Sequence, residues 1–133
     1  MSYLSEKVFV DNQVNTIADK LVYFLTEAFN IDYVDTDFCL TGSSAFILQD
    51  TERGEALNVV FATSNKDMYD YLAKNINKLV QPKNVIKFKE RLLIEFDFAK
   101  MEIWKFSESI TLVGYGKSSV KLQQKETIPE NLL

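Results

Sequence analysis

Between Phe38 and Leu48 the chain reads Phe-Cys-Leu-Thr-Gly-Ser-Ser-Ala-Phe-Ile-Leu. Four residues of strand character run into Gly42, Ser43 and Ser44, and an apolar run follows. A strand that turns on a glycine into a helix constrains the neighbouring fold, because strand and helix must then lie close together. Two readings of the turn stand side by side. Gly42-Ser43-Ser44 can cradle a phosphate, since glycine admits close backbone approach and a helix start offers N–H groups to an anion. It can equally be a tight strand-to-helix turn with Ser43 as N-cap.

The remaining pattern surrounds this turn with helices and strands. Val14, Ile17, Ala18, Leu21, Phe24, Leu25, Ala28 and Phe29 recur at spacings of three and four, predicting a helix from Asn12 to Phe29 capped by Asn30. An acidic linker, Ile31 to Asp37, leads into a strand over Phe38–Thr41. A short apolar helix, Ser43 to Gln49, is expected next. The charged loop Asp50-Thr51-Glu52-Arg53-Gly54 precedes a β-branched strand, Leu57 to Ala62. Thr63 or Ser64 is the expected cap of a second long helix, Lys66 to Leu79, stopped by Pro82. Strands are predicted over Val85–Lys89, Arg91–Phe98, Met101–Phe106, Ser109–Val113 and Val120–Leu122, with a hairpin turn at Ala99-Lys100. The order predicts an α+β domain over residues 1–133: a mixed sheet with helices mainly on one side. Gln123 to Thr127 reads as a flexible linker to an apolar end, Ile128 to Leu133, that docks on its own domain or, the reading the linker favours, on a partner.

Composition excludes several function classes. The 133 residues are 47% apolar, enough for one well-packed core. A net charge of −4 opposes non-specific binding to nucleic acid or to an anionic membrane. With no histidine, the commonest general base and zinc ligand is missing, and so is any Ser-His-Asp arrangement. The one cysteine, Cys39, cannot form an internal disulfide and is expected to be a buried, inert thiol. No apolar run is long enough to span a membrane, and no basic-then-apolar leader opens the chain. A cytoplasmic or virion-associated protein is expected, with no cofactor.

The turn and the following strand, taken together, resemble the small stand-alone members of the polymerase-beta-like nucleotidyltransferase superfamily. Leu40-Thr41-Gly42-Ser43-Ser44-Ala45, a short helix, a charged loop and Ala56-Leu57-Asn58-Val59-Val60-Phe61 carry the resemblance. It covers roughly Asp37 to Phe106. It implies a Gly-Ser turn that grips a triphosphate, a strand bearing Asp-x-Asp, and a third carboxylate on a later strand, here Glu102. The departure falls on the chemistry. Residues two apart on a strand share a face, which brings two aspartates to one metal pair. Here those positions hold Ala56 and Asn58, one without oxygen and one neutral, against Mg²⁺'s need for carboxylate charge.

Other candidates are weaker. Glu95 and Asp97 share a strand face and are candidates to meet Glu102 across the hairpin, or form a solvated face. Asp50, Glu52 and Glu55 lie near the rim of the resembling site. Phe96, Phe98, Trp104 and Phe106 form either a base-stacking cluster or core. Lys87, Lys89 and Arg91 form a basic ridge. The resulting expectation is a catalytically inactive nucleotidyltransferase-like domain that binds protein or builds a larger assembly, such as a phage particle or a toxin–antitoxin-like system. The alternative is a nucleotide binder or residual transferase using Gly42, Ser43, Ser44 and Asn58, with Glu102 holding one metal.

Overall fold

The computed structural model describes residues 17–32, 35–50, 59–97, 100–116 and 119–133. Helix α1, Asp19–Phe29, ends at Asn30, whose backbone is left-handed (φ 51°) and whose N–H returns to the Thr26 carbonyl, as the asparagine cap predicts. Its expected first turns, from Asn12, lie outside the described residues. Strand β1, Cys39–Thr41, passes directly into helix α2, Gly42–Gln49. Strand β2, Val59–Thr63, follows; the expected residues Leu57 and Asn58 lie outside the described set.

Helix α3 spans Lys66–Val80, and its N-cap is Asn65, which accepts the Met68 N–H. The predicted caps, Thr63 and Ser64, serve elsewhere: both hydroxyls donate to the Asp37 carboxylate, which also receives the Ser64 N–H at 2.8 Å. One aspartate of the acidic linker thus ties the start of β1 to the end of β2.

Among the described residues five further strands join them in one sheet: β3 (Asn84–Lys87), β4 (Arg91–Glu95), β5 (Lys100–Lys105), β6 (Leu112–Val113) and β7 (Lys121–Gln123). The spatial order is β3-β4-β5-β2-β1-β7-β6. Strands β2 and β5 are parallel, as are β1 and β7, and the other pairs are antiparallel. The mixed α+β architecture is therefore the expected one, and β2 lies beside β1.

Pleating sorts the sheet residues into two faces. Leu40, Phe61, Ile103 and Leu92 stand opposite one another on successive strands and join the core with Leu21 and Leu25 of α1 and Leu72 and Ile76 of α3. Phe38 stacks on Phe61 with centroids 5.2 Å apart. The second face carries Leu93, Glu102, Val60 and Thr41 in one row. Among the described residues no helix is long and apolar enough to cross a membrane.

The C-terminal segment departs from expectation. Gln123 is a buried strand residue of β7, not linker, and Lys125–Thr127 forms a 3₁₀ turn. Ile128 is buried in the core of its own chain, and Leu132 and Leu133 pack against that core. The polar letters that read as flexible are the anchors. Gln49 of α2 donates to the Gln123 carbonyl at 2.7 Å and accepts the Lys125 N–H at 3.1 Å, while the Lys125 ammonium lies 3.6 Å from Asp50.

Candidate functional site

The Gly42 turn is a junction that suits glycine. Gly42 has φ +67°, the left-handed region that a side chain disfavours. A Cβ added there would meet the Leu132 carbonyl oxygen at 3.0 Å and Val60 Cβ at 3.4 Å. Glycine is thus favoured twice, once by conformation and once by the close approach of the tail.

Ser43 is not the N-cap. That position falls to Thr41, whose hydroxyl makes no capping bond and instead donates to Gln123 Oε1 at 2.5 Å. Ser44 donates to the Thr41 carbonyl at 2.9 Å and accepts the Val60 N–H at 3.3 Å. Gly42, Ser43 and Ser44 are all buried. The turn locks β1, α2 and β2 together, and the C-terminal residues roof it. What remains between Ser43, Val60, Glu102 and Leu132–Leu133 is a cavity of about 150 Å³. Small-molecule sites generally need several hundred Å³, so a triphosphate would fit only with the tail displaced.

Glu102 stands opposite Val60 of β2 and Leu93 of β4, one strand away from the turn. It is buried, and its Oε1 accepts from Arg91 Nη1 at 2.5 Å. The Arg91 guanidinium lies 4.5 Å from the Phe88 ring and 5.3 Å from the Trp104 ring. Arg91 is thus half-exposed and its charge is engaged by Glu102. Lys87 and Lys89, by contrast, are exposed.

The expected acidic trio does not assemble. A turn at Ala99-Lys100 would set Asp97 opposite Glu102, but the ladder runs Glu95↔Lys100 and Leu93↔Glu102. Strand β4 ends at Glu95, which lies 3.8 Å from Lys100 and accepts from Asn84 at 3.1 Å. Asp97 is out in solvent, 3.6 Å from Lys83. Each carboxylate has its own basic partner, and no group of three histidine, cysteine, aspartate or glutamate side chains that could hold a metal occurs among the described residues. Ala56, Asn58, Glu52, Glu55 and Phe98 lie outside those residues.

The aromatic cluster divides. Phe96 packs on the core, while Trp104 and Phe106 are half-buried and line an open cleft of about 900 Å³ with Lys105, Ser107, Thr111 and Pro129. Cys39 is fully buried, and that burial, with the nearby Asp37 charge, pushes its thiol far above the ordinary range. It is the inert thiol expected.

Residue types alone did not reveal the Arg91–Glu102 pair or the Thr41–Gln123 bond. The first depends on hairpin register. The second joins residues 82 positions apart, and a short polar stretch carries no signal for that. No protein-family model, curated protein or solved structure matches the chain.

Proposed function

We infer that this chain is a catalytically inactive nucleotidyltransferase-like domain that serves as a protein-binding or structural module. The observation that carries the reading is the state of the Gly42-Ser43 turn. Where the resemblance calls for an open cradle, the turn is buried beneath Leu132 and Leu133, and Glu102 is spent on Arg91. A carboxylate held at 2.5 Å by a guanidinium is a structural ion pair that gives Mg²⁺ a poor ligand. Support for the ancestry is the strand–Gly-Ser–helix–strand order with β2 beside β1.

Calorimetry with ATP, GTP, CTP and UTP plus Mg²⁺ tests the inactive reading. The expected result is binding weaker than about 1 mM for all four, less than about 4 kcal/mol. Tighter binding of any one would favour a nucleotide binder and require the tail to move. Recovery of a defined stoichiometric partner with the native protein tests the module reading.

A further inference from the structure

Among the described residues the sheet ends on one side at β3, whose one strand neighbour there is β4. Just past β3, the Phe88 N–H donates to the Arg91 carbonyl at 2.9 Å. Inward and outward backbone groups alternate in an antiparallel ladder. Ile86 therefore also turns its N–H and C=O to β4, while Val85 and Lys87 turn theirs outward. Among the described residues nothing bonds those outward groups.

The side chains along this edge are sorted. Ile86 and Phe88 share one face and are 40% and 46% exposed. Lys87 faces the other way, and Lys89 follows in the turn; both are exposed, and neither has an acidic partner among the described residues. Neighbouring acids are engaged: Glu90 with Lys105, Glu95 with Lys100, Asp97 with Lys83 and Glu102 with Arg91. A chain of net charge −4 thus presents a positive, apolar, hydrogen-bond-ready edge.

We propose that β3 binds a partner protein through an extended acidic segment that adds to the sheet as a further strand beside β3, beyond the seven strands of the described residues. The pairing rules specify the segment: apolar side chains on the face of Ile86 and Phe88, alternating with carboxylates on the face of Lys87. A second copy of this chain fits poorly. Antiparallel self-pairing centred on Ile86 would bring Lys83 of each copy to Lys89 of the other, and like charges opposed across strands are unfavourable. Nucleic acid would leave the outward N–H and C=O rows without matching partners and would face an acidic molecule. The proposal rests on the binding-module reading and gives that module its surface.

The probe is a fluorescent peptide of about eight residues alternating glutamate and valine, titrated into the full chain. A lysine–valine peptide serves as control. The acidic peptide is expected to bind at least about tenfold more tightly than the basic one and to weaken with salt. Alternate N-methylation should abolish binding in one phase and spare it in the other. Lys87→Glu with Lys89→Glu, both at exposed positions, should reverse the preference while the circular dichroism stays that of the parent. Equal affinity for both peptides, no binding up to about 1 mM, or tighter binding of a single-stranded oligonucleotide would overturn the proposal. So would a dimer in sedimentation that Ile86→Lys dissociates. If the charge-reversed protein keeps a partner that co-purifies with the parent, the edge is wrong and the module reading stands. If the parent recovers no partner, the module reading itself fails.

Discussion

Gly42 shows how one residue can answer to two constraints. Its φ of +67° disfavours any side chain, and the Leu132 carbonyl oxygen would lie only 3.0 Å from an added Cβ. Gly42→Ala should lower stability by about 1–3 kcal/mol, read from urea unfolding. In a protein lacking residues 128–133 the same substitution should cost less, because only the conformational part remains; a double-mutant cycle measures the difference. Arg91 poses the opposite problem. Removing it takes from the buried Glu102 the guanidinium that donates to it, so Arg91→Ala should destabilise by about 1–3 kcal/mol, whereas Arg91→Ala combined with Glu102→Gln should recover part of that loss. Equal stability of the two variants would show that the pair is already solvated. Cys39 ties stability to pH. Its folded thiol ionises far above the ordinary 9.0, chiefly through burial. Below that value folded and unfolded thiols are both protonated. Above it the unfolded chain loses the proton and the folded one keeps it, so stability falls as pH rises. Unfolding midpoints between about pH 8 and pH 10 should drop more steeply in the parent than in Cys39→Ala, and a thiol reagent should label Cys39 only on unfolding.

At the scale of elements, the tail behaves as part of the sheet's packing. Strand β7 pairs in parallel with β1, and the following turns carry Ile128 into the core and Leu132 over Gly42. Deleting residues 128–133 should lower the melting temperature of the isolated protein, by an amount that reflects about 1.5–3 kcal/mol for Ile128 alone. An unchanged melting temperature would mean the leucines only touch the surface. The β4–β5 hairpin shows how register decides chemistry. Glu95, Asp97 and Glu102 are spaced as a plausible acidic group along the chain, yet the ladder separates them and gives each a basic neighbour. The surface pairs among these, such as Lys83–Asp97, contribute under about 1 kcal/mol; the half-buried Arg91–Glu102 contact links the two strands of the hairpin, β4 and β5.

For the molecule as a whole, the inactive reading predicts that restoring the acidic motif would not create an enzyme. Ala56→Asp with Asn58→Asp should fold and show no nucleotidyl transfer above background, because positioning of the substrate contributes as much as the metal does and the Gly42-Ser43 turn lies under the tail. Robust transfer by the double variant would show that the tail yields and that only the metal site had lapsed. Much of the architecture was legible in the letters. Helices α1 and α3 were, because apolar residues at three and four leave one solution for a helix against a sheet, and the asparagine after Phe29 marks its end. The strand–turn–helix at Gly42 was, because glycine followed by two serines interrupts a run of apolar residues. So was the mixed α+β class, since that follows from the order of periods along the chain. Contacts at long range were decided by the tertiary structure alone. Whether Glu102 meets Asp97 or Arg91 turns on the β4–β5 ladder, which sets Leu93 rather than Asp97 opposite Glu102, and composition does not encode that register. Whether Gln123 is linker or anchor depends on Thr41 arriving beside it from 82 residues away. Local periodicity reports which face of an element is apolar; it carries no information about which distant polar group will meet a buried one, and that meeting is what closed the Gly42 turn beneath the tail.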